Sequence, residues 1–354
     1  MLKPKMLVTG ATGKTGGATI RQLLTMGYPV RALVRQADHR SEQLRKAGVE
    51  IVMGSLEDII DLRAAMEGIQ RAYFCPPLEP GALRRAALFT AAAQDSRLEV
   101  VVALSQWLAD ASHPATHARE KWLSEEMFRW APGLGIVTIN PGFFADNYMA
   151  ALEPIAHFGL MGMPLGQGLN APPSNEDIAR VIVGALANPE PHIGKIYRPT
   201  GPRLLAPEEI AAAIGKALGR KVIYKDVPIK LFLKVAKSLG IGEFVIEELY
   251  WFLMDYQRNA FGLGAPTDAV LEVGGVAPES FEQTARRYVA ASGFANRTIG
   301  SHLVAVYNLV AGLLTAAPVP SSIAQRLQLP ALNHPLFAGE SATWRASHLL
   351  ERTT

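Results

Sequence analysis

Three glycines spaced Gly10-x-x-Gly13-x-x-Gly16, directly after the apolar run Met6-Leu7-Val8 and Thr9, are the residues of this chain best suited to chemistry. A tight turn of this kind brings backbone N–H groups against a pyrophosphate, and side chains at the close-approach positions would block it. From Ala18 the apolar residues Ile20, Leu23 and Leu24 recur at helical spacing. The stretch therefore reads as strand, glycine turn and helix, the context of a dinucleotide fingerprint, with the helix start offering unpaired N–H groups to an anion. Thr9, Gly10, Thr12, Gly13, Lys14, Thr15 and Gly16 are the expected contacts. Gly13-Lys14-Thr15 looks like the end of a Walker A loop, but that motif needs a glycine where Val8 stands.

Two further groups could act on a bound dinucleotide. At the end of the second expected strand, residues 29–35, an acidic side chain would grip the ribose hydroxyls of NAD; this chain has Arg35 there. A guanidinium is a permanently charged fork of donors that suits a 2′-phosphate, so NADP is favoured over NAD. Arg31, four residues earlier, reads as an ordinary solvated strand residue. His117 and Lys121 lie four apart on an expected helix and so share one face, where they can converge on a ligand. His117, of near-neutral side-chain pKa, is the candidate proton donor, with a partly exposed helix residue as the alternative.

The elements that position these groups alternate. Strands are expected at 29–35, 50–53, 72–75, 100–104 and 136–139, with helices at 18–26, 41–47, 58–66, 83–94 and 113–130. Alternation of this sort makes a doubly wound α/β fold, a parallel sheet with right-handed crossovers whose strand ends line the cofactor crevice. Pro76 and Ser105 stand at two such ends. After Phe144 the alternation fails. Residues 159–173 read as a loop over the crevice, Ser174 caps a helix at 178–187, and short strands at 196–200 and 221–227 flank a helix at 207–218. A helix pair over 228–257, broken near Gly240, carries Tyr250, Trp251 and Phe252 either as core or above an apolar pocket.

TGATGKTG near the start resembles the NmrA-like group of atypical short-chain dehydrogenases/reductases, and the resemblance runs over roughly residues 5–290. It continues in Gly54-Ser55-Leu56-Glu57-Asp58, in Glu176-Asp177-Ile178-Ala179 and in the helix at 278–289. Asn140-Pro141-Gly142-Phe143-Phe144 matches the family's Arg-Pro-Gly-x-Phe except at Asn140; Pro141 and Phe143 thereby join the expected cofactor contacts. Short-chain dehydrogenases place a serine after the fifth strand and Tyr-x-x-x-Lys on the next helix. Here Ser105 and His117-x-x-x-Lys121 stand at those positions, which implies Lys121 as cofactor anchor and proton relay. The resemblance implies an NADPH-dependent reductase acting on a quinone, enone or aromatic carbonyl-type acceptor. Because the tyrosine is missing, it admits as the alternative an NADP(H)-sensing regulatory protein with little turnover.

Composition sets the outer bounds. With 354 residues, 49% hydrophobic and 19% charged, the chain can bury a full core, and a formal charge of +3 argues for no nucleic-acid partner. The single Cys75 cannot form an internal disulfide, and the first residues pass straight into a strand with no signal-peptide pattern, so the expected address is cytoplasmic. Scattered histidines give no metal motif. The expected organisation is a Rossmann NADP-binding domain over 1–150, a smaller α+β substrate region over 151–291 interleaved with it, and an extension over 292–354. In that extension, residues 303–317 form an uncharged apolar run of 15, short of the ~20 that span a bilayer. The run reads first as a helix buried on the main body or at a dimer contact, and second as an interfacial helix. A monomer or homodimer that takes a small apolar substrate is the expected assembly.

Overall fold

A computed structural model describes residues 3–294 and 298–349. Among the described residues nine strands form: β1 (Met6–Val8), β2 (Val30–Val34), β3 (Glu50–Met53), β4 (Arg71–Phe74), β5 (Val100–Leu104), β6 (Gly135–Ile139), β7 (Leu160–Met163), β8 (Ile196–Tyr197) and β9 (Ile223–Asp226). Seven of them make one parallel sheet in the order β3-β2-β1-β4-β5-β6-β8. The chain winds outward from β1 to β3, crosses back to β4, and winds outward the other way. The switch therefore falls between β1 and β4, where open α/β sheets bind their ligands.

Strand sequences with apolar residues on both faces explain why the sheet is covered on both sides. Met6, Val8, Val100, Val102 and Tyr73 pack under the helices Lys14–Thr25 and Asn175–Ala187. Leu7, Val101, Ala103 and Phe74 face the opposite layer, made by Ile59–Met66, Ala82–Asp95 and Thr116–Arg129. Ser174 caps Asn175–Ala187 as expected, its hydroxyl accepting from Asp177 N at 3.0 Å. Arg31 departs from its expected solvated role. It is 9% exposed and donates to Glu50 and to the carbonyls of Ala65 and Glu67, tying β2 to β3 and to the end of a helix.

One other expectation changes. The stretch at 159–173 is not all loop: β7 pairs in parallel with β9 to make a separate two-stranded sheet. Its glycines and prolines mask a four-residue strand whose partner lies some 60 residues on. The strand β8 joins the edge of the main sheet beside β6, so the chain returns to that sheet after β7. Among the described residues no helix is long and apolar enough to cross a membrane.

The extension beyond residue 292 has two parts. Residues 329–349 dock on the segment that follows β5. Trp344 Nε1 donates to Trp107 O at 2.8 Å, and Trp107 Nε1 in turn donates to Ala260 O at 3.0 Å. The His348 ring stacks on Trp344 with centroids 3.9 Å apart, and Asp110 accepts from Ser341 Oγ at 2.8 Å. Trp344 is 2% exposed, so Trp344→Ala should cost about 3–5 kcal/mol of stability, the scale for deleting a buried tryptophan side chain. Urea unfolding measures this, and a loss under about 1 kcal/mol would show that the extension is not part of the core. The other part, the helix Ile299–Leu314, lies on the main body rather than buried in it, with Ala305 and Gly312 as its buried residues.

Candidate functional site

The glycine turn sits at the switch, between the end of β1 and the helix Lys14–Thr25. Gly10 has φ +59°, and a Cβ there would lie 2.8 Å from Cys75 O at the end of β4. A Cβ on Gly16 would lie 2.3 Å from Gly10 O, so that glycine lets the helix press against the turn. Gly13 differs: its φ is −83°, it is exposed, and its added Cβ would meet only Gly10 O, at 3.1 Å. Gly13 leads into the helix without a side-chain cap, and the first turn holds no acidic residue. The leading N–H groups of that helix are thus left for an anion.

Side chains around the turn take different roles. Thr9 is buried and structural, its hydroxyl accepting from Cys75 N at 2.7 Å and donating to Tyr73 O at 3.3 Å, which ties β1 to β4. Pro76 and Pro141 are buried at the ends of β4 and β6, and Thr12 is half-buried in the turn. Lys14 pairs with Asp146 at 2.7 Å, and Thr15 Oγ1 donates to Asn175 Oδ1 at 2.8 Å. Tyr288 closes this latch, donating to Asp146 and accepting from Asn175 Nδ2 at 3.2 Å. Asp146, Asn175 and Tyr288 come from three distant segments, and no local motif marks any of them. Arg35 stands 3.4 Å from Glu79 with its side chain 73% exposed, a loose pair that leaves the guanidinium free to meet a phosphate.

At the ends of β4 and β5 the polar groups are enclosed. Lys121 Nζ donates to Leu104 O at 2.8 Å, and burial pulls its pKa down to about 8 against the opposing pull of Cys75, Glu125 and Glu120. The Cys75 thiol is pushed up by burial and stays protonated at neutral pH. Ser105 donates to Glu125, which also accepts from Asn140 Nδ2 at 3.0 Å. Burial raises the Glu125 carboxyl and these two hydrogen bonds oppose it. Asn140, where the sequence leaves the family pattern, is therefore half of a small buried network.

His117 departs from the sequence expectation. It is 5% exposed, and burial first, then Lys121 and Arg85, hold its pKa well below 6.5. A neutral imidazole at pH 7 is a poor acid, so proton donation passes to Lys121. Its Nδ1 has no hydrogen-bond partner, and the same is true of both side-chain polar atoms of Gln106, directly after Ser105. Gln106, just past the end of β5, is where a ligand would supply the missing partners, whereas His117 lies on the helix and is closed over by Phe244 and Glu248.

Beneath His117 lies a pair of buried carboxyls. Glu248 Oε1 accepts from His117 N at 2.9 Å, and Glu247 accepts from Trp251 Nε1 at 2.5 Å. Burial, then the neighbouring Glu247, pushes Glu248 well above the ordinary carboxylate range. A raised folded-state pKa gives stability that is complete below the unfolded value and lost as pH rises toward the folded one. Glu248→Gln keeps an acceptor for His117 N and removes that loss. Its Tm should match wild type near pH 4.5 and exceed it increasingly toward pH 8 in thermal scans. A Tm gap that does not change with pH would mean that Glu248 is ionised in the fold.

The apolar pocket that the helix pair over 228–257 could have covered is not formed by Tyr250 with Phe143 and Phe144. The Phe143 ring packs 5.3 Å from both Tyr148 and Tyr256 and 5.4 Å from Phe261, in the core. Phe144 packs against the core on the sheet, while Tyr250 belongs to a separate cluster with Leu233, Ile246 and Ile323. These aromatics are packing residues, and the open polar groups lie instead around Gln106, His117 and Lys121.

A doubly wound α/β sheet with an uncapped glycine-turn helix at its switch point defines a dinucleotide-binding protein of the Rossmann type. The chain belongs to the NmrA-like family, whose model matches residues 2–262. It is 32% identical over 298 residues to an NAD(P)H azoreductase of Xenophilus azovorans, covering 82% of this chain and 100% of that protein. Its fold is that of an NADPH-dependent quinone oxidoreductase from Escherichia coli solved with NADPH, with TM-score 0.70 and 20% identity over 80% of this chain and 99% of the other. The negative transcriptional regulator NmrA, solved with NADP, matches with TM-score 0.70 and 19% identity over 84% of this chain and 99% of the other.

Proposed function

We propose that this protein is an NADPH-dependent reductase of small aromatic acceptors with conjugated double bonds, quinones and azo compounds foremost. The observation that carries this reading is the glycine turn at the switch point with a buried lysine of pKa about 8 at the neighbouring strand end. Reduction of azo compounds and quinones by proteins similar to this one supports the acceptor class.

The residues fit the cofactor. The turn leaves no room for side chains at Gly10 and Gly16, and the uncapped N–H groups after Gly13 match a pyrophosphate. Arg35 would hold the 2′-phosphate, and Lys121 the nicotinamide ribose. When bound, NADPH supplies a hydride. Lys121, mostly protonated at pH 7, delivers a proton to the atom of the acceptor that gains negative charge. Leu104 O, accepting from Nζ, fixes where that proton is held. A quinone oxygen is also readily protonated by water, which fits the absence of the tyrosine of ordinary short-chain dehydrogenases.

Arg35→Ala should weaken NADPH by roughly 1.5–3 kcal/mol, the worth of hydrogen bonds to a charged group, and leave NADH nearly unchanged. Calorimetric titration decides it; equal losses for both cofactors would remove Arg35 from the phosphate site. The reductase reading is tested by following cofactor absorbance with a panel of quinones and azo dyes. Sustained consumption, faster with NADPH than NADH, is expected. The second reading, an NADP(H)-sensing regulator, is favoured by His117 standing where the tyrosine would be, and it predicts tight binding with no consumption.

A further inference from the structure

Residues 299–319 contain no Asp, Glu, Lys or Arg. The helix Ile299–Leu314 nevertheless touches the protein along a narrow seam, with Ala305 and Gly312 as its buried residues. The fit at that seam is close: a Cβ on Gly312 would come within 2.9 Å of Val235 Cγ2. At 3.6 residues per turn, Ile299, Leu303, Tyr307, Val310 and Leu314 fall in one stripe on the opposite side, with Leu313 at its flank. All six are between 47% and 84% exposed. Sixteen residues at 1.5 Å each make this stripe about 24 Å long, an uninterrupted apolar surface of the kind that marks an interaction site.

The neighbouring helix Ile229–Ser238 supplies the charge. Lys230, Lys234 and Lys237, spaced four and three apart, share one face, and the helix has no acidic residue. Lys234 donates to Leu313 O at the end of the apolar helix, while Lys230 and Lys237 are exposed. Beyond that end, a groove of ≈ 390 Å³ is lined by Ile241, Ile246, Val319 and Ile323 together with Lys237 and the Glu243–Arg326 ion pair, whose charges answer each other. An apolar stripe beside cations complements an anionic lipid surface, with acyl chains for the stripe and headgroup phosphates for the lysines. A second copy is less well matched. A two-fold pairing of this face would bring the same lysines from both chains, with no carboxylate on either helix to answer them.

We propose that the helix Ile299–Leu314 lies in the plane of an anionic bilayer surface and anchors the protein there, with Leu303, Tyr307 and Val310 among the acyl chains and Lys230 and Lys237 against the headgroups. At 16 residues it is too short to span. The inference is independent of the reductase reading.

Flotation of the full chain with vesicles tests it. The protein should float with phosphatidylglycerol–phosphatidylcholine vesicles, more weakly with phosphatidylcholine alone, and less as salt is raised. Leu303→Asp with Val310→Asp should abolish flotation. Lys230→Gln with Lys237→Gln should weaken it about 25-fold, each lysine near the surface being worth about fivefold. All four positions are exposed, and unchanged thermal unfolding shows that the variants are folded. Failure to float with anionic vesicles overturns the proposal. So does a concentration-dependent dimer in sedimentation equilibrium that the two Asp substitutions dissociate, since it would name a second copy as the occupant.

Discussion

Gly13→Val should yield a folded protein that binds NADPH at least about a hundredfold more weakly, the equivalent of losing one or two charge-assisted hydrogen bonds. The contrast among the three glycines makes this the cleanest substitution. At Gly10 the positive φ and the approach of Cys75 O make any side chain a folding problem, and at Gly16 a Cβ would collide with Gly10 O. At Gly13 the backbone is in an ordinary extended conformation and the residue is exposed, so valine's branches project over the helix start where the anion would lie. Circular dichroism with calorimetric titration separates the outcomes. A folded variant that keeps its NADPH affinity would rule out the glycine turn as the pyrophosphate site.

The second large effect belongs to Lys121. Lys121→Ala should slow reduction by roughly 10²–10⁴ for acceptors that need a positioned acid, the span of general acid catalysis, and by less for quinones. Lys121→Met keeps the buried stem and should lose nearly as much, which sets chemistry apart from packing. In wild type, the pKa of about 8 predicts that kcat/KM is level below pH 7 and falls as pH rises through 8, because the acid form is lost. His117→Ala should not reproduce that loss, since burial already holds the imidazole neutral. A Lys121→Met variant with wild-type rates and affinity would place the acid elsewhere.

Much of the fold was legible because parallel strands covered on both faces read as apolar runs. Val100–Leu104 and the alternation of helices and strands up to residue 139 emerge as expected within a few residues. Past that point the signal is tertiary. The strand β7 is hidden among glycines and prolines and carries no period of its own, whereas β8 and β9 fall inside the stretches read as strands, although their partners could not be read. Arg31 illustrates the same limit: alternation gives a strand residue's face, but the carbonyls that capture its guanidinium come from a helix end 34 and 36 residues away.

At the site, spacing pointed to the glycine turn and Arg35, and the family resemblance pointed to Ser105 and Lys121, because each such signal depends on position along one strand or helix. Spacing could not reveal that His117 is sealed over by Phe244 and Glu248, whose helix lies more than a hundred residues on. Nor could it separate Tyr250 from Phe143. Only the path of the helix Glu243–Gln257 brings Tyr256, one and a half turns later, to the Phe143 ring.

On the reading proposed above, this cleft oxidises the NADPH it binds. Its most direct measurement is a single turnover in which protein loaded with NADPH is mixed with a quinone or an azo dye and cofactor absorbance is followed, using NADPH and NADPH deuterated at the transferred position. Loss of the reduced cofactor on the scale of turnover is expected, slower with the deuterated form and slower again in Lys121→Met with the azo dye. Bound NADPH that stays reduced in the presence of every acceptor would contradict the claim and leave a protein that reads the cofactor's redox state without using it.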